Sequence, residues 1–277
     1  NMDPAKLSKT LARAKGVKAV FPVHFAGQPA NMESISRIAR AKGLKIVEDA
    51  CHALGASYRT RSGQTVKVGS CRHSDMVVFS FHPIKSITTG EGGAVTTNDP
   101  HLYQRLLLFR NHGMVKKPSL GPWIYEMNEL GFHYRLTDIQ CALGLSQLRR
   151  VDAFVRRRRD IAAFYDRRFK GLEFVRPLFA GPTSSRHLYP LSIDFKKLKK
   201  SRSSVMRALH GLGIGTQAHY IPLHFQPYYR KRYGLRPGHF PAAEKYYKGA
   251  LSIPLFPALT LREMGRVVSA VKTVCCD

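Results

Sequence analysis

Ile46-Val47-Glu48-Asp49-Ala50-Cys51-His52 is the stretch on which the reading of this chain turns. A short apolar run ends directly in two carboxylates, and an imidazole follows three residues after Asp49. Upstream, Val17–Phe25 has the Val-, Ala- and Phe-rich make-up of a buried strand. Asn31–Lys42 then carries Met32, Ile35, Ile38 and Ala39 at helical spacing, with Gly43 as a stop signal. Downstream, Met76–Phe81 is a further apolar run. Strand, helix, strand in this rhythm predicts a βαβ unit with parallel strands. In such sheets the carboxyl ends of the strands open onto the ligand crevice. Asp49 is therefore placed where a carboxylate can hold a cationic group, a pyridinium nitrogen among the candidates. A helix cap is the competing role for a strand-end acid.

The strand over Met76–Phe81 runs into Phe79-Ser80-Phe81-His82-Pro83-Ile84-Lys85, then Thr88-Thr89-Gly90-Glu91-Gly92-Gly93. One lysine is delivered by a turn after a strand. Lysine loses its proton readily when buried, which suits Schiff-base chemistry. Ser80 at the strand end offers a hydroxyl to a phosphate oxygen. The glycines give the backbone freedom to pass close to a ligand. A surface lysine beside a glycine turn is the bland alternative.

Farther along, a helix is expected from Pro100 to about Arg110, and one long helix from Thr137 to about Phe169. His187–Phe195 and Leu251–Leu255 read as strands, Ser203–Leu212 and Leu261–Val274 as helices, which makes a smaller α+β unit. The expected domains are residues 1–170 and 171–277, divided at the end of the long helix.

The order and spacing of Glu48–Gly55, Ser80–Gly93, Arg110–Gly113 and Gly131–Leu148 resemble the DegT-type family of nucleotide-sugar aminotransferases. The likeness extends to Pro22-Val23-His24, Gly27-Gln28-Pro29 and Ser252-Ile253-Pro254-Leu255-Phe256-Pro257, nearly the whole chain. It implies an α/β fold of the pyridoxal-phosphate-dependent transferase type (aspartate aminotransferase, fold type I). Residues 1–170 would be a mixed-sheet large domain and residues 171–277 a small α+β domain. It implies pyridoxal 5'-phosphate as cofactor, carried by Lys85, which also moves the substrate proton. Asp49 matches the acid that pairs with the pyridine nitrogen, His52 a position beside the phenolic oxygen, and Ser80 a phosphate-binding hydroxyl.

In Gly131-Phe132-His133-Tyr134-Arg135 relatives usually carry Asn at position 133, reaching the neighbour's cofactor phosphate across a homodimer. His133 keeps a donor there with a different shape. Ala218-His219-Tyr220-Ile221-Pro222-Leu223-His224 resembles the small-domain stretch near the sugar nucleotide, with His219 and Tyr220 as substrate contacts and ordinary aromatic packing as the alternative. The C-terminal half is most similar to the pseudaminic acid branch of the family. That branch aminates C4 of a UDP-linked 4-keto-6-deoxy sugar with glutamate as donor. The resemblance begins partway into the family's large domain, so the chain reads as truncated and as weakly active or inactive alone.

Lys and Arg number 45 against 18 acidic residues, a net charge of +27. Such an excess attracts polyanions. Arg156–Arg159 and Lys196–Arg202 lack the interleaved aromatics of a single-strand binding platform, and they read as solvated surface. Two rival readings stay open: a polyanion- or nucleic-acid-binding protein, and a degenerate partner subunit. The five cysteines are irregularly spaced, so neither a disulfide framework nor a metal site is expected, and a reducing cytoplasm fits. Cys275 and Cys276 are expected as exposed thiols in a frayed tail. No apolar run suggests a membrane span or a secretory leader.

Overall fold

The computed structural model describes residues 1–178 and 180–276. The chain divides into two compact units, Asn1–Asp152 and Ala153–Asp277.

In the first unit, α1 (Pro4–Arg13) starts at Asp3, whose side chain accepts from the amides of Ala5 and Lys6. Helix α2 (Met32–Arg40) starts at Asn31, which accepts from the amide of Ser34. Its buried face, Met32, Ile35 and Ala39, packs with Leu11, Val20, Leu44 and Ile46. The expected strand over 17–25 is shorter, β1 (Ala19–Val20) plus a parallel bridge from Val23 to Asp49. Strand β2 (Lys45–Asp49) runs parallel to β1, with Val20 opposite Ile46. Two short strands, β3 (Ser57–Arg59) and β4 (Thr65–Lys67), form a separate ribbon. Strand β5 (Met76–Ser80) pairs parallel to β2, and β6 (Gly93–Thr96) antiparallel to β5. The sheet is therefore mixed, in the order β1-β2-β5-β6. Helix α3 (Pro100–Arg110) falls on the expected residues, followed by the hairpin β7 (Met114–Lys116) and β8 (Tyr125–Met127).

The long helix expected from Thr137 to Phe169 is two helices, α4 (Asp138–Leu148) and α5 (Val151–Phe169). The amide of Arg150 bonds the carbonyl of Gln147, three residues back, so the ladder tightens and ends there. Neither α3 nor α4 buries a residue.

The second unit contains almost all of α5. This placement puts the division after Asp152 rather than near residue 170. The apolar face of α5, Ile161, Ala162, Tyr165 and Phe169, is buried with the rest of this unit's apolar interior. It shares that interior with β9 (Val175–Pro177), β10 (Tyr189–Ile193), α6 (Arg202–Gly211), β11 (Ala250–Ile253) and α9 (Leu261–Cys276), whereas α7 (Pro227–Tyr233) and α8 (Pro241–Gly249) bury no residue. The three strands form an antiparallel sheet in the order β11-β10-β9.

Two expectations about side chains change. In the Arg156–Arg159 run only Arg156 is exposed. Arg157 donates to the carbonyls of Pro257 and Leu259, Arg158 to those of His187 and Leu255, and Arg159 to those of Thr183 and Ser184. Burial lowers the Arg158 guanidinium to about 10. The run thus ties loops to α5 because a guanidinium offers several donors to backbone carbonyls. Cys275 is fully buried, because α9 continues to Cys276 and places it on the same face as Met264, Val267, Val271 and Val274.

Phe169 is 1% exposed and packs against Tyr165 and Tyr189 with ring centroids at 5.9 and 6.4 Å. Phe169→Ala is expected to destabilise the protein by about 3–5 kcal/mol, read from the urea midpoint and slope. A loss below about 1 kcal/mol would mean that the interior refills the space.

Candidate active site

Strand alternation sorts the side chains at the end of the sheet. Asp49 is registered opposite Val78, so the two share a face, and Ser80, two residues beyond Val78, shares it too. Glu48 and Val77 point to the other face, where both are buried. Asp49 and Ser80 are only half-buried and stand at the carboxyl ends of two adjacent parallel strands.

Lys85 follows in the turn after β5, where its amide bonds the carbonyl of His82 at 2.9 Å. Burial holds its amine below the ordinary 10.5, while the nearby Cys51 and Asp49 draw it back upward. The segment is clamped from several sides. Thr88 Oγ1 donates to the Phe81 carbonyl at 2.9 Å, and the amide of Thr88 donates to Gln147 Oε1 at 3.1 Å. Gln140 Nε2 donates to the Glu91 carbonyl at 3.1 Å, so α4 grips both ends of the Thr88–Glu91 turn. The glycines here serve protein packing. Gly92 lies at φ +147, and a Cβ on Gly93 would stand 2.5 Å from the Phe79 carbonyl oxygen.

Asp49 accepts from the amide of Cys51 at 3.1 Å. The Cys51 thiol is pushed up to about 11 by burial first, then by its hydrogen bond to Asp49 and that residue's charge, with Lys85 opposing. Asp49, Cys51 and Lys85 thus form one electrostatic cluster. His52 is buried, and its Nδ1 accepts from the amide of Ala26 at 3.3 Å. An accepting Nδ1 places the ring proton on Nε2.

The Ser80 hydroxyl accepts from the amide of His82 at 3.4 Å, and among the described residues its own proton has no acceptor. His133 is exposed. It bridges Asn111 through the backbone and stands edge-on to His112 at 5.3 Å. In the second unit, His219 Nδ1 is paired with Ser252 Oγ at 2.9 Å, and its carbonyl accepts the Tyr246 hydroxyl at 2.8 Å. Tyr220 is 49% exposed. His224 is buried against Glu244 at 3.0 Å, which accounts for one histidine of that stretch by packing.

Two features escaped the sequence reading. Cys51 lay within the quoted stretch, but nothing in its spacing tied it to Lys85. The other is a buried trio: His24 Nε2 stands 2.7 Å from Glu48 Oε2, and Ser74 Oγ donates to Glu48 Oε1 at 2.5 Å. Strand alternation alone would have put Glu48 behind Asp49, but not beside His24.

A mixed α/β sheet, a lysine in the turn after one strand and an acid at the end of the next describe a fold type I pyridoxal-phosphate enzyme. The chain belongs to the DegT/DnrJ/EryC1/StrS aminotransferase family, whose sequence profile matches residues 1–272. It is 38% identical to the spore coat polysaccharide biosynthesis protein SpsC of Bacillus subtilis, over 99% of this chain and 70% of that one. It is 37% identical to the UDP-4-amino-4,6-dideoxy-N-acetyl-beta-L-altrosamine transaminase of Campylobacter jejuni, over 95% of this chain and 67% of that one.

Among solved structures, Helicobacter pylori PseC, an aminotransferase involved in the biosynthesis of pseudoaminic acid, superposes with a TM-score of 0.89. The identity is 34%, covering 99% of this chain and 71% of PseC. A neighbour of the same fold is known in its PLP form, and the cofactor of this family is pyridoxal 5'-phosphate. The donor set here fits that group. A carboxylate, a hydroxyl with a proton to give and an amine kept below its ordinary basicity suit a cationic ring nitrogen, a phosphate and an aldehyde.

Proposed function

We propose that this sugar aminotransferase moves an amino group from glutamate to the C4 keto group of a UDP-linked 4-keto-6-deoxy sugar. The observation that carries the reading is the Asp49–Cys51–Lys85 cluster at the ends of adjacent parallel strands. The substrate follows from similarity to the Campylobacter transaminase and to PseC.

In this reading Lys85 holds the cofactor and carries the proton to and from the substrate carbon. Asp49 keeps the ring nitrogen protonated. Ser80 donates to the phosphate, His52 faces the ring's phenolic oxygen with its Nε2 proton, and His133 contacts a phosphate across a homodimer. His219 and Tyr220 contact the sugar nucleotide. Bound there, pyridoxal phosphate supplies the electron sink that lets an amino group leave one carbon and reach another. The positive balance of the chain, +27, favours approach of a pyrophosphate-bearing substrate.

The homodimer is supported by the apolar side chains that the first unit leaves exposed. Ile139 on α4 is 84% exposed, Leu130 after β8 79% and Trp123 between β7 and β8 77%, and neither α3 nor α4 buries a residue.

Borohydride reduction after incubation with pyridoxal phosphate, followed by peptide mapping, tests the cofactor assignment. A dominant adduct on Lys85 is expected. Labelling scattered over many lysines of folded protein would defeat it. Turnover of UDP-linked 4-keto-6-deoxy sugars with glutamate then tests substrate and donor.

A further inference from the structure

The His24–Glu48–Ser74 trio lies on the sheet face opposite Asp49 and is almost completely shielded from water, at 0%, 2% and 5% exposure. A buried carboxylate costs several kcal/mol in desolvation unless its oxygens are well bonded. Here one oxygen takes a hydroxyl and the other an imidazole. His24 Nδ1 accepts from the amide of Ala30 at 3.0 Å, so its single proton sits on Nε2 and is donated to Glu48.

The backbone of His24 is fixed as well. Its amide donates to the Asp49 carbonyl at 3.0 Å, and the Asp49 amide donates to the Pro22 carbonyl at 2.9 Å. His24 therefore holds both ends of the segment from residue 24 to residue 30: the start through its backbone, the end through its ring. Inside that segment Ala26 sits at φ 56, a left-handed conformation that a non-glycine residue holds only when its surroundings impose it. This conformation accompanies the Ala26 amide that donates to His52 Nδ1.

We infer that Glu48 and His24 are positioning residues: through the Phe25–Gly27 turn they hold His52 as the Nε2–H tautomer and, through the Asp49 backbone, fix the acid at the end of β2. The functional weight of this device rests on the cofactor assignment proposed above; the tautomer itself does not.

The test uses the full chain, labelled with 15N-histidine and free of added cofactor. A long-range 1H–15N spectrum assigns each ring's tautomer, and His52→Gln identifies the His52 signals. Wild type is expected to show His52 protonated at Nε2. Glu48→Gln keeps an oxygen acceptor for His24 and should preserve that pattern. Glu48→Leu and His24→Ala should give mixed tautomers at His52, and Glu48→Leu should weaken pyridoxal phosphate binding by roughly 10-fold relative to Glu48→Gln.

A wild-type His52 protonated at Nδ1 would overturn the inference whether or not the variants fold. So would an unchanged His52 pattern in both disruptive variants, shown folded by circular dichroism. If the tautomers shift as expected while Lys85 fails to trap the cofactor, the positioning device stands and the cofactor assignment falls.

Discussion

Lys85→Ala is expected to lower transamination by at least about 10³-fold, because in the proposed function one side chain both anchors the cofactor and moves the proton, and positioned proton transfer alone contributes about 10²–10⁴. Lys85→Arg separates charge from chemistry. A guanidinium keeps the positive charge but stays protonated, so it cannot take up a proton. It should be as inactive as alanine while leaving the surrounding charge balance intact. Recovery of most of the activity by arginine would show that Lys85 acts only as a fixed charge.

The pH dependence follows from the amine's surroundings. Attachment to an aldehyde needs the unprotonated amine, and burial holds Lys85 below the ordinary 10.5. The rate of cofactor attachment should therefore rise with pH and level off in a window below that of an exposed lysine. The same shift has a stability sign. A lysine whose folded value is depressed costs stability where it is forced to stay protonated, and the cost is relieved as pH rises through the folded value. Stopped-flow absorbance of cofactor binding against pH reads the first effect directly. A profile that levels off only near 10.5 or above would contradict it.

Asp49→Asn carries the second large effect. If Asp49 pairs with the ring nitrogen as proposed, removing that preorganised electrostatic partner is expected to cost about 10²–10³ in turnover. The negative charge of Asp49 also raises the Lys85 amine. Its loss should move the attachment window to lower pH even as turnover falls. Asp49→Asn would also unload Cys51, whose thiol is raised in part by that carboxylate. A variant that loses turnover with no movement of the window would place Asp49 away from Lys85. One that moves the window and keeps full turnover would remove it from the ring nitrogen.

Much of the first unit could be read locally. The apolar runs around Ile46 and Met76, the spacing of Met32, Ile35 and Ala39, and the caps Asp3, Asn31 and Asp99 act within a turn or a strand. Such short-range preferences survive in the linear chain, which is why α3 falls on its expected residues. The long helix was misjudged for the same reason. The residues from Thr137 to Phe169 read as helical in sequence, whereas in the structure α4 ends at Leu148 and the amide of Arg150 turns back to Gln147 before α5 begins.

Lys85, Asp49 and Ser80 stood out in the linear chain through their motifs and their positions after apolar runs. That Asp49 and Ser80 share a face needed the β2–β5 register, a pairing of residues 29 apart in sequence. Glu48 meets His24 from 24 residues away, and Arg158 reaches the Leu255 carbonyl 97 residues on. Nothing in the neighbourhood of either residue encodes its partner, because burial and pairing are settled by packing of the whole chain. Cys275 illustrates the same physics: at the end of the sequence it resembles an exposed tail, and only the packed face of α9 makes it part of the interior.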